Sequence, residues 1–245
     1  MDKTQFVKFD FWKLLKSFSN FLKKLLSDRW RSLLMLLIGV TLPLLVFGTL
    51  AMVVLENKGG FPWDEPILLA VHQTTQPQLN VFVETLTKFG VFWGVFPVVT
   101  MTSVILLYQR KWRSLAYLLI TIPGSHFINY TAKGLLHRVR PHLWDSLSPE
   151  FDYSFPSGHA MSSMTLVAVM VILTWETRWR WLILTFGSLF VVAIGWTRLY
   201  LGVHFPSDIL AGWMVSLAWS IGVSLILRPH FTKAASNEDK PASET

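Results

Sequence analysis

The 245-residue chain is 52% hydrophobic, 14% aromatic and only 15% charged, against about 25% charged in an ordinary soluble domain. It has no cysteine, which excludes a disulfide scaffold, thiolate metal sites and a cysteine nucleophile. The net charge of +7 would suit nucleic acid only if the basic residues lined one polar face; they are instead distributed between long apolar runs, so the chain reads as a membrane protein with no nucleic-acid partner.

Residues 1–32 form a basic segment in which Phe11, Leu14, Leu15, Phe18, Phe21, Leu22 and Leu25 recur at helical spacing, interleaved with Lys13, Lys16, Lys23 and Lys24. That pattern predicts an amphipathic helix on an anionic cytoplasmic leaflet. A membrane span needs about 20 mostly apolar residues. Six runs satisfy this: 33–55, 89–108, 114–132, 155–175, 181–197 with its continuation past Arg198, and 209–227. The first run is longer than a signal-peptide core and lacks a good cleavage site, so it is expected to be retained. Residues 61–72 suggest a short interfacial helix, and the polar tail, 229–245, is expected to be disordered. The predicted class is therefore an all-α integral membrane bundle of six transmembrane helices spanning 33–228, preceded by the amphipathic segment.

Orientation follows from Lys and Arg. The N-terminal segment, the links after the second and fourth spans, and the tail together hold sixteen of the 22 basic residues. The opposite side holds Lys58, Lys88, Lys133, Arg138, Arg140 and Arg198. The positive-inside rule places both termini in the cytoplasm of a multi-pass cell (inner or plasma) membrane protein, and the other three loops in the periplasm or exterior.

Polar residues concentrate on that outward side. Lys133 ends the third span and Arg140-Pro141 follows it; Pro156-Ser157-Gly158-His159 opens the fourth; Thr197-Arg198 closes the fifth, ahead of His204 and Asp208. Charged groups near a membrane core default to function. Lys133, Arg140 and Arg198 are donors only, and the guanidinium fork suits phosphate oxygens. Ser157 and Gly158 fall at a helix start, where backbone N–H groups and the helix dipole favour an anion. His204 with Asp208 has the form of a nucleophile or base with its orienting carboxylate. His159 supplies a second imidazole for proton transfer. A zinc site using His204 and Asp208 competes with this reading, but three adjacent cations oppose a divalent metal.

These three ordered blocks resemble the signature of the type 2 phosphatidic acid phosphatase superfamily, except that the third begins Thr197-Arg198 where Ser-Arg is usual. The resemblance implies a lipid phosphate or diphosphate hydrolase that needs no metal and no cofactor. It implies His204 as the nucleophile forming a phosphohistidine, Asp208 as its orienting group, and His159 as the proton donor and later the base. Lys133, Arg140, Ser157, Gly158 and Arg198 would hold the phosphate. The expected partners are the bilayer and a lipid substrate of the undecaprenyl diphosphate, phosphatidylglycerophosphate or phosphatidate class, with no obligate protein partner. A lipid phosphotransferase would use the same residues, and an anion or lipid transporter is the reading from a different class.

Overall fold

A computed structural model describes residues 11–57 and 60–229; the expected disordered tail lies almost wholly outside the described residues, as does the start of the basic segment. Among the described residues there are helices and no strands. In chain order they are α1 (Phe11–Leu36), a π-helical turn (Leu37–Thr41), α2 (Leu42–Asn57), α3 (Asp64–His72), α4 (Pro77–Phe89), α5 (Phe92–Tyr108), α6 (Trp112–Leu136), α7 (Gly158–Leu173), α8 (Trp179–Tyr200) and α9 (Pro206–Leu227).

The amphipathic stretch and the first apolar run form one continuous helical rod. Pro43 explains the π-helical turn within it. A proline has no N–H for the carbonyl four residues back, and its ring crowds that carbonyl. The backbone widens instead, and the Leu42 N–H bonds Leu37 O five residues earlier. Leu15, Phe18 and Phe21 are exposed along α1.

Among the described residues, four stretches are long and apolar enough to cross a bilayer: 29–56, 77–108, 179–200 and 206–227. The run expected at 89–108 begins slightly later than the sequence suggests. The chain breaks at Gly90 and Val91, so α4 precedes α5 as a separate helix. Helix α7 is apolar but has only 16 residues, and α6 has 25.

Helix α9 packs against α2, α6 and α7, while α7 also packs against α8. Small residues make these approaches close: α9 buries Ala211, Gly212, Ser216, Ala218 and Ser220. In lipid, association relies on packing and interhelical hydrogen bonds, and small side chains permit both. Ser216 Oγ donates to Met161 O at 3.1 Å, Tyr117 OH to Ser220 O at 3.1 Å, and Trp219 Nε1 to Thr121 O at 2.9 Å. Leu118, Leu166, Val169 and Val223 fill the space between them. A Cβ on Gly212 would stand 3.0 Å from Ser157 O, so this glycine lets the chain entering α7 lie against α9.

The outer surface is apolar, with Leu45, Met52, Phe96, Met101, Phe186 and Val192 more than half exposed. One end of the bundle gathers Tyr108, Trp112, Trp175, Trp179 and Trp181, all exposed, beside Arg110, Lys111, Arg113, Arg178 and Arg180. At the other end the C-termini of α6 and α8 meet the N-termini of α7 and α9, and every candidate residue lies there.

Candidate active site

Helix α6 stops at His137, whose left-handed backbone (φ 49°) lets its N–H bond Lys133 O. Lys133 therefore sits one turn from the helix end and pairs with Asp152. Beyond it the chain is extended, so alternate side chains share a face. Arg138 and Arg140 turn inward while Val139 is 71% exposed. Ser154 N donates to Arg138 O at 2.9 Å, and Arg140 Nε donates to Asp152 O at 2.8 Å. These bonds fold the long α6–α7 loop back on itself.

His204 lies in the turn between α8 and α9 and is buried. Its Nδ1 is 3.3 Å from Asp208 Oδ2, and its Nε2 is 3.0 Å from Arg140 Nη1. An arginine only donates, so Nε2 is the bare acceptor and Nδ1 carries the proton toward Asp208. That is the tautomer a nitrogen nucleophile requires. Pro206 suits the first turn of α9 because its missing N–H would have no helical partner there. Asp208, in the same turn, accepts from Phe205 N at 2.9 Å, which fixes the carboxylate beneath the imidazole.

Ser157 caps α7, its Oγ accepting from Ala160 N at 3.5 Å, and its own N–H donates to Asp208 O at 3.1 Å. Both polar groups of Ser157 are thus turned into the protein. The N–H groups left for an anion at this helix start are those of Gly158 and His159, among the described residues. Asn129 Nδ2 donates to Pro156 O at 2.9 Å and holds the cap from α6. Arg198, buried near the end of α8, is aimed by Thr87 Oγ1 at 2.7 Å.

The centre of the cluster is occupied by a carboxylate from the loop. Glu150 pairs with Arg198 and with Arg140, the latter at 2.6 Å. Its oxygens lie 3.8 Å from His159 Nδ1 and 3.7 Å from His204 Nε2. Burial pushes the Glu150 carboxyl up, but the charges of Arg198 and Arg140 outweigh burial and hold it well below the usual carboxylate range. Burial likewise raises Asp152, and Lys133 and Arg140 bring it below its ordinary value. Of the eight expected site residues, Arg140, Arg198, His159 and His204 face Glu150, Asp208 stands behind His204, and Ser157 and Gly158 form the start of α7 next to His159. Lys133 reaches this cluster through Asp152 and Arg140. Beside it opens a cavity of about 640 Å³ whose lining includes Arg140, Trp144, Glu150, Asp152 and Tyr153.

Sequence reasoning counted Arg138 among the outward basic residues and gave it no partner. The structure buries it between two aspartates, with Nη1 on Asp208 and Nη2 on Asp64 at 2.6 Å. Ser207 closes the network: its Oγ accepts from Arg138 Nη1 at 2.7 Å and donates to Asp64 Oδ2 at 2.6 Å, while its N–H donates to Asp64 Oδ1 at 3.0 Å. Gly60 admits the guanidinium, since a Cβ there would fall 2.0 Å from Arg138 Nη2 at a backbone φ of 102°. The one signal in the sequence was the spacing Arg138-x-Arg140, which puts both arginines on one face of an extended segment.

Comparison with known proteins places this arrangement. Over 160 residues the chain is 29% identical to phosphatidylglycerophosphatase B of Bacillus subtilis, covering 63% of this chain and 78% of that one. It is 30% identical over 144 residues to the undecaprenyl-diphosphatase of Sulfolobus acidocaldarius, covering 56% of this chain and 65% of the relative. The crystal structure of a transmembrane PAP2 type phosphatidylglycerolphosphate phosphatase from Bacillus subtilis superposes with a TM-score of 0.65 at 25% identity, over 74% of this chain and 94% of that one. The family model of the PAP2 superfamily matches residues 112–231, which run from the start of α6 past the end of α9 and carry all eight candidate residues. The part of the chain that carries the site, residues 112–231, thus matches the PAP2 superfamily.

Proposed function

We propose that this protein is a metal-independent phosphatase of membrane lipid phosphates or diphosphates that works through a phosphohistidine. The observation that carries the reading is Glu150: an oxyanion held by Arg140 and Arg198 lies within 3.8 Å of both His159 and His204. A phosphoryl group in that place would meet the His204 Nε2 lone pair on one side. His204 Nε2 attacks phosphorus, the bond from phosphorus to the leaving oxygen breaks, and its electron pair stays on that oxygen, which takes a proton from His159. Water then gives a proton to His159 and attacks phosphorus. The P–N bond breaks, and its electrons return to His204. Lys133, Arg140, Arg198 and the N–H groups of Gly158 and His159 hold the equatorial oxygens, so cations supply the charge neutralisation that a metal would otherwise provide.

The relatives' names suggest phosphatidylglycerophosphate or undecaprenyl diphosphate as substrate classes. Six crossings accommodate the chain, with α7 innermost. Helix α7 is shielded by α6, α8 and α9, so its short apolar length need not match the full lipid thickness. The exposed tryptophans and the arginines at the end opposite the site support a cytoplasmic interface there, and α1 would begin along it. The site then faces the periplasm or exterior. Trapping radiolabelled phosphate from a labelled lipid phosphate, with excess chelator present, tests the mechanism. Label on His204, lost in His204→Ala, is expected. Label on another residue, or turnover that only a divalent ion restores, would overturn it.

A further inference from the structure

We infer that the buried pair Asp64–Arg138 is a positioning device that sets how tightly Asp208 holds the proton on the His204 nucleophile. The inference rests on the phosphatase reading above. Arg138 touches none of the groups around Glu150; both its arms are spent on Asp208 and on the Asp64–Ser207 pair. Its side chain and that of Asp208 have no exposure, and Asp64 has 1%. Burying one cation between two anions is costly unless each lone pair is met. Here Asp64 Oδ2 accepts from Phe61 N at 3.1 Å as well as from Arg138 and Ser207. Arg138 also stacks 4.4 Å from the ring of Phe205, the residue between His204 and the first turn of α9.

This construction ties three elements to the nucleophile. Helix α3 supplies Asp64, the α6–α7 loop supplies Arg138, and the α9 turn supplies Ser207 and Asp208. It also divides the charge. Asp208 alone beneath the imidazole would draw His204 toward its doubly protonated form, in which Nε2 has no lone pair to attack with. Arg138 withdraws part of that negative charge, and Asp64 returns a share of it. The other charged or titratable groups facing His204 are Arg140 and Glu150 from the loop, His159 from α7 and Arg198 from α8, and none of them contacts Asp64 or Arg138.

Removing the two charges should therefore move the pH profile in opposite directions. In Arg138→Gln, Asp208 attracts the His204 proton more strongly, so the acid limb of kcat/KM rises by about one pH unit. In Asp64→Asn, Arg138 is less neutralised and the limb falls. Arg138→Lys keeps the charge and loses one arm, so its limb stays at the wild-type pH while kcat drops. KM changes little in all three, because none of these side chains touches the phosphate. Each profile is measured in detergent with one lipid phosphate, so the substrate's own ionisation is common to all. A purely structural role predicts lower activity or a lower melting temperature with unmoved limbs, or limbs that move the same way; either result overturns the inference. If Arg138→Gln does not fold, the downward shift of Asp64→Asn and the unmoved limb of Arg138→Lys decide it. A wild-type protein that hydrolyses no lipid phosphate would instead overturn the phosphatase reading.

Discussion

Under the proposed function, substrate phosphate and the Glu150 carboxylate would claim the same ligands, so charge removal at Glu150 should tighten binding. Each charge-assisted hydrogen bond of this kind contributes about 1.5–3 kcal/mol net. Glu150 makes two, to Arg140 and Arg198, with its side chain 25% exposed. Ordering the loop and breaking solvation offset part of this, leaving a closed form favoured by roughly 1.5–3 kcal/mol, or about ten- to a hundredfold. The apparent affinity of any competing phosphate is weakened by the same factor. Glu150→Gln keeps the shape and removes the charge. KM should fall about tenfold or more with kcat changed far less, and the inhibition constants of inorganic phosphate and vanadate should fall in parallel. The inhibition constants are the cleaner readout, because they report occupancy without turnover. Because the Glu150 carboxyl is held below the usual carboxylate range, the competition is fully present above the ordinary glutamic acid pKa. It is lost only as pH falls through the depressed value, so mild acid should not mimic the variant. Unchanged inhibition constants, or weaker phosphate binding in Glu150→Gln, would refute the reasoning and make Glu150 a brace for Arg198.

The proton donor and the sidedness can be checked as directly. His159→Ala should slow alkyl lipid phosphates by about 10²–10⁴-fold and activated aryl phosphates much less; equal losses on both would remove the acid role. For topology, a cysteine replacing exposed Leu147 in the α6–α7 loop should react with an impermeant thiol reagent in intact cells. One replacing Glu176 between α7 and α8 should react only after lysis, and the reverse pattern would turn the site toward the cytoplasm.

The candidate residues were legible because each motif block falls at a helix end of the same depth, and donors, imidazoles and a carboxylate at one depth have few alternative meanings. The anions were not legible. Glu150 and Asp152 lie in an aperiodic loop and look, in sequence, like any solvated acidic pair; only the fold of residues 138–154 brings them onto Arg140 and Lys133. Asp64 and Arg138 are separated by 74 positions, and nothing local marks an aspartate at the start of a short helix as a buried ion-pair partner. Apolar runs announced the membrane, but their ends were shifted by backbone events that hydropathy does not register. The break at Gly90 and Val91 divides α4 from α5, and the widening ahead of Pro43 keeps α1 and α2 in one rod.

The loop between α6 and α7 carries Arg140 together with the two carboxylates that cover it, so the resting site has three cations and two anions within one hydrogen-bonded cluster. A bare tricationic hole facing a bilayer would be filled by whatever anionic lipid is most abundant, and phosphodiester headgroups carry a single negative charge. Against a built-in carboxylate of equal charge such a headgroup gains little by exchanging places. A terminal phosphomonoester or a diphosphate brings close to two charges and more free oxygens, and so would compete with Glu150 better than a diester under the proposed function. On the phosphatase reading, the loop would thereby set a threshold of valence at the entrance, admitting a rare substrate from a surface crowded with its singly charged cousins.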